Sequence, residues 1–295
     1  MNDNASAGRV RVAFPNKGRL SDRAVQLFEQ AGLKPAFRAD RALIASLGTD
    51  FQAIFVRSAD IPEYVADGAA ELGVTGADRV AESGRDIEEI LDLGFGACRM
   101  VVATREESDL GHARELPAGT RVATSFPRIA RAYFASLGVP IEVAAVSGAT
   151  EIAPHLGVAD VIVDISSTGS TLRVHGLREI GEIMVSSARL VASRDALATP
   201  ETRRHVDELA MALESVLRAE QKRYLMANVP KSRLREVREV IPGISGPTIV
   251  DVLDGGEWAA AHAVIDADTV YQTISRLKAL GAEGLLVTRI ERLMP

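Results

Sequence analysis

The stretch from Ala159 to Leu172 constrains the fold of this chain most, because an apolar strand there runs into a polar loop. The strand, Val161–Val163, is followed by a single carboxylate, Asp164, and then by a hydroxyl-rich loop centred on Gly169. Strands without polar residues are typical of parallel sheets whose two faces are covered by helices. Such sheets bind ligands beyond the carboxyl ends of their strands, so the sequence predicts a binding loop here.

The loop after Asp164 supports two interpretations. Its backbone N–H groups and hydroxyls are suited to cradle a phosphate, and Gly169 lets the backbone approach closely or take a positive φ. Asp164 is then placed to accept hydrogen bonds from ribose hydroxyls. The alternative is an ordinary Ser/Thr-rich turn that caps the next helix. The loop alone does not decide between them.

The spacing around the loop resembles the signature of the ATP phosphoribosyltransferase family. From Glu151 to Leu172 the chain reads E-x5-G-x-A-x2-I-x-D-I-x2-T-G-x-T-L. Further blocks follow the family's order: PNKGRLS, R-x2-D-I-P, LGVTG, FGACR, ATSFP, GLREI, PGISGPTI and KALGAEGLLV. The resemblance covers residues 9–292 and is specifically to the long form of the family.

The resemblance implies an enzyme that transfers the 5-phosphoribosyl group of phosphoribosyl pyrophosphate (PRPP) to N1 of ATP. The products are N1-(5-phosphoribosyl)-ATP and pyrophosphate, in the first step of L-histidine biosynthesis. It also implies Mg²⁺ carried with the pyrophosphate, feedback inhibition by L-histidine, and a homo-oligomer of dimers that assemble into hexamers. The alternative is a two-lobed module that binds an anionic solute or senses an effector without catalysis.

Strands and helices alternate over the first two hundred residues, which predicts a mostly parallel α/β fold. The resemblance implies a two-lobed core like the type II periplasmic binding proteins, with 1–104 and 184–223 in a discontinuous first lobe and 105–183 in the second. Residues 183–192 are interpreted as one strand that returns to the first lobe. A long helix is predicted over 202–224.

The C-terminal part, 224–295, has a different pattern. Its strands and helices follow the order βαββαβ, which is ferredoxin-like, and Asp254–Gly256 is a hairpin-turn signal. The resemblance implies a regulatory domain in which Asn228, Thr248 and Ala282 lie near bound L-histidine. The alternative is a domain that serves only oligomer assembly.

Composition excludes several classes of protein. Of 295 residues, 47% are hydrophobic and only 4% aromatic, so the core is built from aliphatic side chains. The single cysteine, Cys98, allows no intrachain disulfide, which favours a reducing compartment. Neither a signal peptide nor an apolar run of transmembrane length is evident, so we expect a cytoplasmic protein without a membrane partner. The net charge of −6 argues against a general nucleic-acid binder.

Two carboxylates and one loop are the candidates for PRPP chemistry. By the resemblance, the loop residues Thr168, Gly169, Ser170 and Thr171 cradle the 5′-phosphate, and Asp164 anchors the ribose. Glu151 matches a signature position and joins Asp164 as a catalytic candidate. Its alternative role is that of an acid in the first turn of a helix, where the helix dipole favours negative charge.

Four cationic residues are candidates for binding the phosphates of ATP or pyrophosphate. Lys17 and Arg19, with Gly18 between them, follow the first strand, where the alternative is a solvated turn. Arg57 follows another apolar strand and has a local salt bridge with Asp60 as its alternative role. Arg99 is expected on a crossover strand that faces the cleft.

Direct metal ligands are not indicated. The five histidines do not cluster at metal-ligand spacing, and neither HExxH nor CxxC occurs, which argues against a structural zinc site. The sequence therefore predicts Mg²⁺ only through the substrate phosphates.

Overall fold

A computed structural model describes residues 8–37, 42–252 and 256–294. The chain divides into two compact units, with the boundary between Ala210 and Met211. Two sheets form the first unit and a third sheet forms the second unit.

The first unit combines strands and helices, but its two sheets are mixed rather than mostly parallel as predicted, because many of the neighbouring strands pair antiparallel. Its strands are β1 (Val10–Pro15), β2 (Pro35–Phe37), β3 (Ile44–Leu47), β4 (Phe51–Val56), β5 (Leu72–Gly76), β6 (Ile87–Asp92), β7 (Cys98–Arg105), β8 (Thr120–Thr124), β9 (Ile141–Ala145), β10 (Val161–Ser166), β11 (Leu177–Ser186) and β12 (Ala188–Ser193). Its helices are α1 (Ser21–Gln30), α2 (Ile61–Ala66), α3 (Ala77–Ser83), α4 (Pro127–Ser136), α5 (Ser170–Val174) and α6 (Arg194–Ala198), and α7 (Pro200–Glu220) spans the unit boundary.

The sheet of the first lobe has the strand order β2-β3-β4-β1-β5-β12-β6. Strand β1 lies between β4 and β5 and is parallel to both. Its residues Val12, Ala13 and Phe14 are fully buried, and the Phe14 ring meets Phe28 of α1 edge-on at 4.7 Å. Because the carboxyl ends of β1, β4 and β5 meet at one edge, the loops that follow these strands lie together.

The sheet of the second lobe has the strand order β11-β7-β10-β8-β9. Strand β10 is parallel to β8 and antiparallel to β7. Val161 and Val163 pack into one hydrophobic cluster, whereas Ile162 packs into another on the opposite face. The unbroken apolar run at 161–163 therefore reflects burial on both faces of the sheet.

The two lobes are joined by two crossovers, one between β6 and β7 and one at Ser187, between β11 and β12. The interpretation of 183–192 as one strand was wrong, since β11 belongs to the second sheet and β12 to the first. Both segments are extended and apolar, so the pattern could not reveal the change of sheet. The predicted lobe limits at 104/105 and 183/184 fall inside β7 and β11.

The second unit contains β13 (Lys222–Pro230), α8 (Leu234–Val240), β14 (Thr248–Asp251), β15 (Trp258–Asp266), α9 (Val270–Ala279) and β16 (Glu283–Arg289). Its sheet has the order β14-β15-β13-β16 and is antiparallel throughout. Leu225 and Val229 on one face of β13 pack in a core with Val237 of α8 and Leu277 of α9. The predicted ferredoxin-like order is confirmed.

The predicted fold class, a two-lobed α/β core followed by a ferredoxin-like βαββαβ unit, is confirmed. The predicted end of the long helix was wrong. The helix ends at Glu220, and Tyr224, whose spacing continued the helical pattern, lies in β13. Of the turn at 254–256, residues 254 and 255 lie outside the described residues. Among those described, no helix is long and apolar enough to cross a membrane.

Candidate active site

The predicted PRPP residues of the second lobe line one cavity of about 190 Å³. Strand β10 contributes Asp164, and the loop that follows it contributes residues 167–169 before α5 begins. Glu151 closes the cavity from a separate turn. Residues that are up to 20 positions apart in the sequence thus line one cavity.

Asp164 is held at the end of β10 by backbone and side-chain hydrogen bonds. Its Oδ1 accepts a 2.7 Å bond from the N–H of Ile165, and the Thr150 hydroxyl is also bonded to the carboxylate. Burial raises the pKa of Asp164 above its ordinary value, and the nearby charge of Glu151 adds to that rise, whereas Arg79 opposes it. The cavity therefore holds a partly desolvated carboxylate.

The loop after Asp164 is shaped by its own hydroxyls. Gly169 has a left-handed φ of +71°, and its N–H donates to Ser166 Oγ at 3.1 Å. The Ser170 N–H donates to Thr168 Oγ1 at 3.3 Å, and the two side-chain oxygens of Thr168 and Ser170 are 2.8 Å apart. Thr168, Ser170 and Thr171 are exposed, so a fixed turn presents hydroxyl groups at the cavity mouth.

Glu151 lies in a 3-10 turn, Thr150–Ile152, instead of the predicted helix start. The turn follows Ala149, which has a φ of +51° and is alone among the described non-glycine residues in having a positive φ. Such strained backbone persists where the surroundings enforce it, often at functional sites. The Glu151 carboxylate is 3.9 Å from Nε2 of His175, at the other end of the loop segment.

A second cavity, of about 160 Å³, opens at the carboxyl edge of the first-lobe sheet. The predicted segment Lys17–Arg19, which follows β1, is exposed and lines it; Gly18 has a φ of +90°. Ile165 of the second lobe lines this cavity as well as the cavity of Asp164. The two cavities therefore adjoin across the cleft between the lobes.

Two further residues of the cleft were missed as site residues. Asp78 is 2% exposed, and its Oδ1 accepts a 2.6 Å hydrogen bond from Ser186 Oγ. Arg79 lies beside it, with its Nε 3.9 Å from Asp78 Oδ2. Both line the cavity of Lys17 and Arg19. The sequence feature that could have indicated these site residues is a charged pair that is separated by one residue from the end of the buried strand β5.

The other two predicted cations, Arg57 and Arg99, are not among the described residues that line either cavity. Arg57 is exposed, and within the described part of the chain it makes no ion pair with Asp60. Arg99 donates to both carboxylate oxygens of Glu179, at 2.8 and 2.9 Å, and to Glu182 at 3.1 Å. The local salt bridge considered for Arg57 is thus absent, while Arg99 is paired.

The predicted effector residues divide into two environments in the second unit. Asn228 and Thr248 are exposed on the sheet face opposite the core, and β15 lies between their strands. Thr248 pairs with His262 of β15 in register, and Asn228 pairs with Ala260. Ala282, in contrast, is buried in the core.

No group of three or more His, Cys, Asp or Glu side chains converges anywhere in the described ranges. Any metal at the site would therefore have at most two carboxylates of the cavity, Asp164 and Glu151, as ligands from those ranges.

Two family models match the chain. One, described as ATP phosphoribosyltransferase, covers residues 57–215, and the HisG C-terminal domain model covers residues 219–292. The chain belongs to the ATP phosphoribosyltransferase family. The ATP phosphoribosyltransferase of Gemmatimonas aurantiaca is 56% identical over 295 residues, which is 97% of this chain and 100% of that protein. The Halorubrum lacusprofundi enzyme of the same name is 47% identical, with the same shares covered.

Among solved structures, the ATP phosphoribosyl transferase (HisG:HisZ) complex from Thermotoga maritima matches with a TM-score of 0.61 at 26% identity. The match covers 70% of this chain and 98% of that one. The family assigns the chain to the ATP phosphoribosyltransferases, the transferases of the first step of histidine biosynthesis. The alternative of a binding module without catalysis is not favoured.

Proposed function

We propose that this ATP phosphoribosyltransferase carries out the transfer in the cleft between its two lobes, with PRPP on the second lobe and the polyphosphate of ATP toward the first. The observation that carries the proposal is the position of Ile165, which lines both cavities. The cavity of Asp164 and the loop hydroxyls and the cavity of Lys17 and Arg19 then form one continuous space. Two substrates that must react with each other need such adjacency.

The 5′-phosphate of PRPP binds the loop Thr168–Thr171, and the ribose hydroxyls bind Asp164. Exposed hydroxyls of Thr168, Ser170 and Thr171 surround the left-handed turn at Gly169, which supports this assignment. A hydroxyl donates well to a phosphate oxygen, and an ionised carboxylate accepts from ribose hydroxyls.

The phosphates of ATP or the departing pyrophosphate bind the segment Lys17–Arg19. Both side chains are exposed at a sheet edge, where flexible cations are free to close on a polyphosphate. Arg57 follows β4, which is parallel to β1, so it lies at the same edge and is proposed to contribute to this binding. Arg99 was predicted to do the same from the second lobe.

In the transfer, N1 of the adenine attacks C1 of the ribose as the bond from C1 to the pyrophosphate oxygen breaks. The electron pair of that bond leaves with the pyrophosphate. Positive charge develops on the ribose ring in the transition state, and the carboxylates of Asp164 and Glu151 stabilise it electrostatically. No covalent intermediate with the protein is required.

Mg²⁺ carried on the pyrophosphate of PRPP is the proposed cofactor. Asp164 and Glu151 are the residues that would hold it, because carboxylate oxygens are ligands of the kind that Mg²⁺ prefers. When bound, the ion would neutralise charge on the leaving group. This fits a site with two nearby acids rather than a complete protein cage.

The second unit is proposed to bind L-histidine near Asn228, Thr248 and Ala282 and so inhibit the enzyme. Asn228 and Thr248 share the open face of the sheet, which supports a ligand site there. A homo-oligomer of dimers and hexamers and a cytoplasmic location are proposed from the family. The assembly of the Thermotoga maritima protein in a complex supports a multi-chain state.

The activity is tested by mixing the protein with ATP, PRPP and Mg²⁺ and following absorbance near the adenine band. An increase in absorbance that requires all three, and a product with the mass of N1-(5-phosphoribosyl)-ATP, would support the proposal. Reactions that lack PRPP are the control. Folded protein that gives no PRPP-dependent change would refute it.

A further inference from the structure

Arg99 is held by carboxylates rather than left open to the cleft. Its guanidinium donates to both oxygens of Glu179 in the two-pronged geometry that is favoured between arginine and a carboxylate. These bonds, and then the bond to Glu182, raise the pKa of Arg99 further above its ordinary value. Arg99 is therefore a fixed cation whose principal partner is Glu179.

Glu179 in turn lies directly beneath the phosphate loop. Its Oε1 is 3.4 Å from Ser166 Oγ, and Ser166 Oγ accepts the N–H of Gly169. A Cβ placed on Gly169 would be 3.4 Å from the same Oε1. A chain of contacts thus runs from Arg99 through Glu179 and Ser166 to the glycine at the centre of the loop.

A carboxylate in this position opposes phosphate binding unless it is neutralised. Like charges close together repel each other, and water screens the repulsion only in part here, because the Glu179 side chain is 29% exposed. Arg99 supplies the neutralising charge from the strand side. Arg173 is a second cation near the loop, with its Nη2 3.3 Å from the carbonyl oxygen of Thr168.

We infer that Glu179 is a positioning residue of the phosphate loop and that Arg99 acts through it by cancelling its charge, not by binding a substrate phosphate. Glu179 supports the Ser166 hydroxyl, which fixes the turn at Gly169. By cancelling the charge of Glu179, Arg99 allows the loop to bind a phosphate. This inference rests on the proposed function, in which the loop binds the 5′-phosphate of PRPP.

The test is a double-variant cycle with PRPP affinity measured by calorimetry on the full chain. Arg99→Ala leaves Glu179 uncompensated, so the Kd for PRPP should rise about tenfold. Glu179→Gln keeps the size and hydrogen bonds without the charge, so the double variant R99A/E179Q should return to within about threefold of wild type. Arg99→Lys keeps the cation and should also stay within about threefold.

Glu182→Gln is the matched control, because Glu182 contacts the same guanidinium but does not contact the loop. Adding E182Q to R99A should leave the rise in Kd in place. If E179Q fails to rescue R99A, or if R99K is as weak as R99A, Arg99 binds phosphate directly and the inference is overturned. Wild-type protein that binds no PRPP would instead overturn the proposed function, on which the inference rests. Melting temperatures show which variants are folded.

Discussion

The guanidinium of Arg79 lies 4.3 Å from the ring centroid of Phe126 and so joins the two lobes of the core. Arg79 belongs to α3 of the first lobe, and Phe126 immediately precedes α4 of the second. A second link lies beside it, since the Glu82 carboxylate accepts the backbone N–H groups of Arg128 and Ile129 at 2.9 and 3.0 Å. The cleft is thus bridged at α3 and α4, close to Asp164.

Arg79→Ala should shift the acidic limb of the profile of kcat/KM against pH to a higher pH. Burial raises the pKa of Asp164 and Arg79 counteracts part of that rise, so Arg79→Ala should raise the pKa further. Because the ionised carboxylate is the proposed active form, kcat/KM should then be lost at a higher pH than in wild type. Profiles of kcat/KM against pH measure this, with the exposed Arg203→Ala on α7 as control. An acidic limb that does not move would contradict the proximity of the two charges.

Asp164→Asn should stabilise the fold while it impairs the reaction. The pKa of Asp164 is higher in the folded than in the unfolded chain, so the folded state binds more protons between the two values and stability falls as pH rises through that window. At pH 7 the ionised carboxylate therefore costs stability, and D164N should melt a few degrees higher. At a pH of about 2.5, well below the ordinary Asp pKa of about 3.9, Asp164 is protonated in both states and the gain should vanish. Calorimetric melting at the two pH values checks this; a lower Tm at pH 7 would count against it.

Lys17→Ala and Arg19→Ala should each weaken binding of at least one polyphosphate substrate. Each removes a cation from the cavity that adjoins the PRPP site, and a hydrogen bond to a charged group contributes about 1.5–3 kcal/mol. We therefore expect the Kd for ATP or PRPP to rise about tenfold or more. Calorimetric titrations with both ligands measure it. Unchanged affinity for both would mean that this segment is only a solvated turn.

Asn228→Ala and Thr248→Val should relieve inhibition by L-histidine without lowering the uninhibited rate. The two side chains share the open face of the sheet in the second unit, and neither is among the residues assigned to transfer. Inhibition curves at fixed ATP and PRPP measure the effect, with the exposed Thr288→Val of β16 as control. If both variants are inhibited as strongly as wild type, the effector site lies elsewhere.

Much of the fold followed from local patterns. The apolar run at Val161–Val163 predicted a strand buried on both faces, and β10 is such a strand because helices and turns cover both sides of its sheet. The site residues that the signature suggested, Glu151, Asp164 and Thr168–Thr171, line one cavity. The strand prediction succeeded because burial on both faces leaves an unbroken apolar run in the local sequence.

The partners that were missed are far apart in sequence. Buried Asp78 is hydrogen-bonded to Ser186, which is 108 positions away. Arg99 is paired with Glu179, which is 80 positions away. The break at Ser187 is set by which sheet each flanking strand joins. Hydrophobic periodicity carries no information on such long-range pairing. It therefore could not reveal that Glu179 holds Arg99, which was predicted to bind phosphate.

The central claim is that the Asp164 carboxylate and the Thr171 hydroxyl bind PRPP, and steady-state kinetics with PRPP varied tests it most directly. Asp164→Asn and Thr171→Val should each lower kcat/KM for PRPP about tenfold to a hundredfold, since each removes a hydrogen bond to a charged group worth about 1.5–3 kcal/mol. Thr288→Val should leave it unchanged, and all three should be folded by calorimetry. Near-wild-type kcat/KM for PRPP in both D164N and T171V would contradict the account.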